Sequence, residues 1–194
     1  MRGQSPAVWR AVASLNALAR ASDGMTLSEL ARAIGEPKST LHAVLTTLVE
    51  AGLLVREETT KRYRLGPHVL VLAGAYARQS DLLRAFTDVA RPLARELGET
   101  IQLAVLQGRE VLYIGKQEGT QWVRLASEVG TRLPAHATSL GKCLLAWLPE
   151  EELERLLSEG PLVALTPRTI TDPAALRAEL ARVREQGYAV DRGE

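Results

Sequence analysis

Two short helices joined by a glycine turn are the feature that most constrains how this chain folds. Residues 26–29, Thr-Leu-Ser-Glu, have the form of a capping box, in which Thr26 caps a helix and Glu29 reaches back to its backbone amide. Gly35 suits the end of that helix, because glycine adopts the left-handed conformation that helix C-termini favour. Pro37 suits the first turn of the next helix, which runs to about residue 51. With an apolar helix before them, these elements predict a helix-turn-helix.

A short hairpin follows the last of these helices. The runs 53–56 and 61–65 are predicted strands, and the polar residues 57–60 between them suit a hairpin loop. A helix-turn-helix followed at once by a basic hairpin is a winged helix, and Gly66 and Pro67 close this unit.

The charge of the chain divides along its length. Residues 1–78 hold ten Lys and Arg against six Asp and Glu, a net charge of +4. The remaining residues hold 14 basic against 17 acidic side chains, a net charge of −3. The whole chain, at +1, hides this asymmetry. A basic first part indicates an anionic partner for that part only.

The third helix is the predicted recognition helix of a DNA-binding domain. Small, polar and basic side chains occupy its start, where exposed amides and the helix dipole also favour a phosphate. The helix residues expected to contact DNA are Lys38, Ser39 and Thr40 in the first turn and His42, Thr46 and Thr47 on the outward face. A winged helix used only for protein contacts, with its charges solvated, is the alternative.

The hairpin is expected to supply most of the affinity for the DNA backbone. Alternation places Arg62 and Arg64 on one face of the second strand, with Tyr63 and Leu65 packed beneath. The wing residues expected to contact phosphates are Arg56, Lys61, Arg62 and Arg64.

The second half of the chain is predicted to be mixed α+β. A connecting helix over 68–78 precedes a helix over 82–97, in which Pro92 predicts a kink or a break. The remaining predicted elements are strands at 101–106, 110–116 and 121–127, a loop at 130–134, helices at 139–148 and 150–158, a loop at 161–171, a helix at 173–186, and a strand that begins at 187.

Several classes of protein are excluded or disfavoured by composition. A single cysteine excludes an internal disulfide and a thiolate zinc site, and the three histidines are too scattered to indicate a metal cluster. Gly141-Lys142 is followed by Cys143 instead of Ser or Thr, which excludes a P-loop. We expect no cofactor. Without a signal peptide or a membrane-spanning run, we expect a cytoplasmic protein.

His136 and Cys143 invite a catalytic interpretation. No Ser/His/Asp arrangement accompanies His136, and we expect its ring to bond local backbone. Cys143 lies beside the apolar pair 144–145 and has no base in its own segment, so we expect a core cysteine.

Four motifs resemble the IclR-type transcriptional regulators. They are LSELARAIGEPKSTLH at 27–42, LVEAGLL at 48–54, RYRLG at 62–66, and RLPAHATSLGK at 132–142, which looks like the effector-domain signature of that family. The resemblance implies a winged helix-turn-helix domain over 1–66, a linker helix over 67–80 and a GAF-like α+β effector-binding domain over 81–194. It also implies dimers or tetramers on palindromic operators. Family members usually continue past Glu194, so the effector domain is expected to be incomplete at its C-terminus.

The resemblance also implies which residues contact an effector. The positions carried over by motif are Trp122, Leu125, Ser139, Leu140 and Asp191. Exposed amides at Leu140 and Gly141 would favour an anionic group such as a carboxylate, and the bulk of Trp122 would narrow the site or admit an aromatic ligand. Ordinary strand core is the alternative for Trp122 and Leu125, and a solvated turn is the alternative for Asp191.

Two departures from the family pattern concern DNA contacts. Ala43 stands where the family often has an arginine, which removes one DNA contact. Glu57 and Glu58 lie at the tip of the hairpin, where phosphate would repel them. Either the tip points away from the duplex or affinity is reduced.

The sequence therefore predicts a sequence-specific DNA-binding transcriptional regulator whose operator affinity or activity is modulated by a small-molecule effector. The alternative is a metabolite-binding or scaffold protein whose winged helix no longer reads DNA. An enzyme is the third hypothesis.

Overall fold

The computed structural model describes residues 5–120 and 127–194, which form two compact units divided between Ser80 and Asp81. The first unit contains four helices and a small sheet, and the second contains four helices and another three-stranded sheet. This is the predicted α+β class. No helix within the two described ranges is long and apolar enough to cross a membrane.

The first unit contains four helices, one of which begins and ends at the capping residues predicted for it. The helices are α1 (Pro6–Ala19), α2 (Leu27–Ile34), α3 (Lys38–Glu50) and α4 (His68–Gln79). In the capping box, Thr26 N–H donates to Glu29 Oε2 at 2.7 Å, and Glu29 N–H donates to Thr26 Oγ1 at 3.3 Å. Gly35 ends α2 with a φ of 70°. Pro37 caps α3 from outside the helix instead of occupying its first turn.

The sheet of the first unit has one strand more than the predicted hairpin. Its strands are β1 (Met25–Thr26), β2 (Leu54–Arg56) and β3 (Arg62–Leu65), all antiparallel in the order β1-β3-β2. The hairpin of β2 and β3 is confirmed. Strand β1 escaped prediction because two residues carry no alternation. Its pairing sets Thr26 opposite Arg62, which brings the cap of α2 beside the wing.

The core of the first unit lies between α1, α2, α3 and the sheet. Its buried side chains include Leu18, Leu30, Leu41, Leu45, Leu48, Leu54 and Tyr63. Tyr63 is only 3% exposed, as alternation predicts. Leu65 is 37% exposed, so its predicted packing is wrong; it is the last residue of β3, where the sheet stops.

Two helices of the first unit leave apolar side chains uncovered. Val8 and Val12 of α1 are exposed. Helix α4 buries none of its residues, and Leu72 and Tyr76 are both exposed. The helices themselves are confirmed, but no described residue of their own unit covers these side chains.

The second unit begins with helix α5 (Asp81–Leu97), which runs through Pro92 without a break. Of the two predicted outcomes, a kink or a break, the break is wrong. Pro92 is exposed, so water can hydrate the carbonyl that loses its partner. Phe86, Ala90 and Ala94 lie on its covered side, whereas Val89 is 64% exposed. Leu93 is exposed as well.

The sheet of the second unit is antiparallel in the order β4-β5-β6, with strands β4 (Ile101–Gln107), β5 (Glu110–Gln117) and β6 (Arg132–Pro134). The β4–β5 hairpin is confirmed. β6 replaces the loop predicted at 130–134, because its residues pair with Glu110–Leu112 of β5. The strand predicted at 121–127 lies outside the described residues except for Ser127, which is not in a strand.

Three helices complete the second unit, namely α6 (Ser139–Ala146), α7 (Glu150–Ser158) and α8 (Pro173–Gln186). A 3-10 turn at Ala135–Ala137 leads into α6. Their buried core includes Val111, Leu145, Leu153, Leu176, Leu180 and Val183. The predicted helix over 173–186 is confirmed, with Asp172 as its cap and Gly187 in the left-handed conformation at its end. Residues 187–190 are irregular, so the strand predicted to begin there is wrong.

Candidate functional site

Helix α3 presents a polar face and buries an apolar one. Leu41, Leu45 and Leu48 are buried in the core of the first unit. Of the six polar residues predicted on this helix, Thr40 is half-buried and the other five are exposed, namely Lys38, Ser39, His42, Thr46 and Thr47. The structure thus brings these five together on the solvent side of one helix.

The two threonines of this face already use their hydroxyl hydrogens. Thr46 Oγ1 donates to the carbonyl of His42 at 3.0 Å, and Thr47 Oγ1 donates to the carbonyl of Ala43 at 3.2 Å. In this geometry each threonine offers an outside partner an acceptor oxygen and a methyl group. Those groups suit the amino groups of cytosine or adenine and the methyl group of thymine.

Arg62 in the wing is tied to the cap of α2. Its Nη1 lies 2.8 Å from Glu29 Oε2, the same oxygen that accepts the Thr26 amide. The pKa of Glu29 is held below its ordinary value, first by the hydrogen bonds from Thr26 and then by the charges of Arg62 and Arg32. Arg62 therefore links β3 to α2, besides its predicted contact with phosphate.

The other wing cations differ in how they are held. The guanidinium carbon of Arg56 lies 5.7 Å from the centre of the Tyr63 ring, a cation–π distance. Lys61 Nζ pairs with Glu58 Oε2 at 3.1 Å, and this contact lowers the pKa of Glu58. Arg64 is exposed and has no acidic partner among the residues that the structure describes. Of the four predicted wing cations, Arg64 is the one most available to an outside anion.

The second unit contains a cavity of about 480 Å³. Its described lining residues are Gln102, Tyr113, Ser127, Thr131, Leu133, Thr138, Ser139, Leu140 and Asp191. Three of the five predicted effector residues, Ser139, Leu140 and Asp191, thus lie around one cavity. The other two, Trp122 and Leu125, lie outside the described residues. The remaining six lining residues were not predicted: Leu133 and Thr138 lie within the motif at 132–142, and the other four come from segments with no motif.

Tyr113 is the one aromatic residue among the described residues that line this cavity, and it is buried. Burial raises the pKa of its phenol, and the nearby negative charge of Asp191 raises it further. Hydrogen bonds with Ser127 and Thr138 act in the opposite direction. The phenol therefore stays protonated at neutral pH, as a hydroxyl that can donate or accept inside the cavity.

The first turn of α6 forms one wall of the cavity. Thr138 caps the helix, since its Oγ1 accepts from Gly141 N–H at 3.0 Å. The amide of Gly141 is thereby occupied, which corrects the expectation that it would be open to an anion. The amides of Ser139 and Leu140 belong to the first turn and have no partner inside the helix. The helix dipole adds partial positive charge at this wall.

Gly141 also sets how closely α6 approaches the turn before it. A Cβ placed on Gly141 would lie 2.1 Å from the carbonyl oxygen of Ala135. Only glycine permits this close approach between α6 and the 3-10 turn at Ala135–Ala137.

Asp191 lies on a tight turn at another edge of the cavity. Its Oδ1 accepts from the amides of Gly193 at 2.8 Å and Glu194 at 3.2 Å, which leaves Oδ2 as the oxygen available to a ligand. Gln102 Nε2 donates to the carbonyl of Ser127 at 3.0 Å and to its hydroxyl at 2.9 Å. Among the described lining residues, Asp191 carries the only formal charge. The cavity can therefore bind an anionic group through backbone amides. It can bind a hydrogen-bond donor through one carboxylate.

The ring of His136 bonds backbone, but its partner is Val163, 27 residues along the chain, so the predicted local partner is wrong, whereas Cys143 packs against the core as predicted. The Nε2 of His136 lies 3.0 Å from the carbonyl of Val163, and its ring is buried. Burial lowers the pKa of His136, and the positive charge of Arg109 lowers it further. Cys143 is half-buried against the core. Within the ranges 5–120 and 127–194 no cluster of His, Cys, Asp or Glu could hold a metal ion.

Family models match both units of this chain. The model of the IclR helix-turn-helix domain matches residues 7–58, and the model of the bacterial transcriptional regulator IclR C-terminal domain matches residues 74–194. Together these matches cover most of the chain.

Individual relatives agree with the family models. The HTH-type transcriptional regulator XynR of Escherichia coli is 36% identical over 187 residues, which cover 96% of this chain and 74% of XynR. The solved structure of an IclR regulator from Alicyclobacillus acidocaldarius has a TM-score of 0.87 at 34% identity. The match covers 99% of this chain and 78% of the Alicyclobacillus chain.

One solved relative carries a ligand. An IclR homologue from Microbacterium hydrocarbonoxydans, solved in complex with 4-hydroxybenzoate, has a TM-score of 0.73 at 34% identity. The similarity covers 96% of this chain and 77% of that homologue. The chain belongs to the IclR family of DNA-binding transcriptional regulators, which join a helix-turn-helix domain to an effector-binding domain.

Proposed function

We propose that the chain binds a palindromic operator as a homo-oligomer and that a small carboxylic acid in its cavity changes the affinity for that operator. Residues 1–66 would read DNA, residues 67–80 would link the domains, and residues 81–194 would sense the acid. The observation that carries this proposal is the cavity of about 480 Å³ with the first turn of α6 in its wall. That volume lies within the range of small-molecule sites.

The DNA contact is proposed for one face of α3 and for the wing. The proposed contact residues are Lys38, Ser39, Thr40, His42, Thr46, Thr47, Arg56, Lys61, Arg62 and Arg64. The exposed polar side of α3 supports base contacts, and the available guanidinium of Arg64 supports a phosphate contact. Ala43 is exposed on the same helix, so base readout here rests on hydroxyls and an imidazole instead of an arginine.

A second copy of the chain is the proposed partner of the uncovered apolar side chains in the first unit. Val8 and Val12 of α1 and Leu72 and Tyr76 of α4 are all exposed. Apolar side chains gathered on helices of one unit are typical of an interface. A two-fold dimer would present two α3 helices, which is the geometry that a palindrome requires.

The cavity is proposed to bind an acid that also carries a hydroxyl group. A carboxylate would accept hydrogen bonds from the amides of Ser139 and Leu140 at the start of α6. A hydroxyl group at the other end of the ligand would donate to Asp191. The ligand of the Microbacterium relative, 4-hydroxybenzoate, has these two groups on one ring. Trp122 and Leu125 are proposed to complete the wall.

Regulation would follow from a difference in affinity between two arrangements of the oligomer. An acid that binds one arrangement more tightly shifts the population toward it. If the two arrangements space their α3 helices differently, the operator affinity changes by the same coupling factor. We further propose that the second unit senses its ligand without converting it.

Calorimetric titration with three probes tests the ligand class. The probes are 4-hydroxybenzoate, benzoate, which lacks the hydroxyl group, and 4-hydroxybenzamide, which lacks the charge. We expect 4-hydroxybenzoate to bind most tightly, and Asp191→Asn to weaken it about tenfold while leaving benzoate unchanged. Equal affinity for the benzamide would contradict the carboxylate site. Recovery of each probe unchanged after incubation is the expected result for a sensor.

A further inference from the structure

Lys142 is a fully buried cation that neither the DNA contact nor the cavity wall uses. It lies in α6, one turn after Ser139, and its side chain is 0% exposed. It is not among the described residues that line the cavity. A buried ammonium group is costly unless it is paired and hydrogen-bonded, so its partners indicate what it holds in place.

Both partners of Lys142 come from the turn that carries Asp191. The Nζ atom donates to the carbonyl of Val190 at 2.8 Å and forms an ion pair with Glu194, whose side chain is only 8% exposed. These two residues stand on either side of Asp191 in sequence. The ammonium group of Lys142 thus bonds residues at both ends of the turn.

Further contacts hold the same turn from the loop before α8. Thr166 Oγ1 donates to the carbonyl of Gly193 at 2.6 Å, and Arg168 Nη1 donates to the carbonyl of Arg192 at 2.9 Å. Of these two donors, Arg168 is exposed and Thr166 is half-buried. Lys142, which is fully buried, bonds the same turn from α6.

This arrangement connects two walls of the cavity through one side chain. Ser139 and Leu140 of α6 line one wall, and Asp191 lines another. Lys142 belongs to the same helix as the first wall and bonds the turn that carries the second. We infer that Lys142 is a positioning residue for effector binding, which fixes the distance between the carboxylate of Asp191 and the first turn of α6. This inference rests on the proposed function of the cavity.

The replacement Lys142→Met tests this inference, because methionine has similar length and no charge. In the ligand-free protein we expect the amides of Gly193 and Glu194 to exchange their hydrogens about tenfold faster, since the turn loses a charge-assisted anchor. Glu194→Gln, which keeps an oxygen near Lys142, should give a smaller change in the same direction. Cys143→Ala on the same helix is the matched control and should leave this exchange unchanged.

A double-mutant cycle separates positioning from general destabilisation. With 4-hydroxybenzoate as the probe, Lys142→Met and Asp191→Asn should each weaken binding about tenfold, and the double variant should be no weaker than either single one. Affinity for DNA without acid should not change. Additive losses, or unchanged hydrogen exchange in Lys142→Met, would overturn the inference. If the wild-type protein binds no acid, the proposed ligand class fails, and the exchange measurement still decides whether Lys142 holds the turn.

Discussion

The guanidinium of Arg62 lies 2.8 Å from the carboxylate of Glu29, so a wing arginine is joined to the capping box of α2. Strand β1 makes this contact possible, because its pairing sets Thr26 opposite Arg62. Arg62 therefore carries a structural link within the fold, whereas Arg64, two residues later, is exposed and has no acidic partner in the described part of the chain.

This difference predicts that the two arginines contribute unequally to DNA binding. Replacing Arg64 by Ala should lower the slope of log affinity against log salt by about one, because one phosphate contact is lost. Replacing Arg62 by Ala should lower the slope less and reduce the free energy of unfolding only slightly, since both partners are partly exposed. Fluorescence anisotropy at several salt concentrations measures the slopes.

Arg20→Ala is the control for loss of one positive charge elsewhere in the same unit. Its slope should stay at the wild-type value. A slope that falls for Arg62→Ala but not for Arg64→Ala would show that the wing meets DNA in another orientation.

Gly141 and Gly74 should respond oppositely to replacement by alanine, although both lie in helices. At Gly141 the added Cβ would lie 2.1 Å from the carbonyl oxygen of Ala135, so we expect the free energy of unfolding to fall by about 1–3 kcal/mol. At Gly74 the nearest atom would be Arg78 Nη1 at 3.3 Å, the end of a flexible side chain. Gly74→Ala should therefore stabilise α4 by up to about 1 kcal/mol.

Urea denaturation of the two variants measures this contrast. Each change is read from the transition of the unit that carries it. Equal destabilisation by both replacements would show that the close approach of α6 to Ala135 is not what Gly141 provides.

Thr138 should contribute to stability through its hydroxyl group. Thr138→Val keeps the shape of the side chain but removes the oxygen that accepts from Gly141 N–H, so we expect a loss of about 1–2 kcal/mol in the free energy of unfolding. Thr138→Ser keeps the oxygen and should lose less. The same denaturation experiment compares them, and a serine variant less stable than the valine variant would argue against capping.

His136 predicts a fall in stability in mild acid. Burial lowers its pKa in the folded protein below the ordinary value of 6.5, while the unfolded chain keeps that value. Below about pH 6.5 the unfolded chain binds the proton more readily than the folded protein does. The free energy of unfolding therefore decreases as the pH is lowered, until the pKa of His136 in the folded protein is reached. His136→Gln can still donate to Val163 but does not titrate.

Thermal unfolding between about pH 7.5 and about pH 5 compares these two proteins. The advantage of the wild type over His136→Gln in melting temperature should shrink as the pH falls. A difference that stays constant would mean that His136 titrates normally in the folded protein.

Local signals, such as helix-capping residues, made much of the fold predictable from the sequence. Thr26 and Glu29 mark the start of α2, and Gly35 marks its end. Each of these signals works through hydrogen bonds or backbone angles within a few residues. The sequence pattern alone therefore located these helix ends correctly.

Features that depend on distant partners were missed. Strands β1 and β6 are two and three residues long and exist only because β3 and β5 pair with them. The cavity likewise gathers Gln102, Tyr113 and Thr138 from segments far apart in the chain. Of these, only Thr138 carried a local signal, as a threonine directly before a predicted helix.

Asp191 shows what the family resemblance added. Its own surroundings predicted a solvated turn, and the resemblance placed it in an effector site. In the structure Asp191 forms a turn with Gly193 and Glu194 and also lines the cavity that is proposed to bind the effector. Its link to Lys142 through Val190 and Glu194 could not be foreseen, because 48 residues separate Lys142 from Val190.

Selection of bound fragments from a random DNA library tests the proposed operator most directly. The chain should enrich a palindromic sequence, and 4-hydroxybenzoate should change the amount of it that is retained. A variant carrying Ser39→Ala and His42→Ala should lose this enrichment while still binding DNA weakly through the wing, because base contacts specify and phosphate contacts only position. Enrichment of a palindrome that depends on these two residues is the predicted result. No enriched sequence, or the same sequence enriched by the variant, would contradict operator reading by α3.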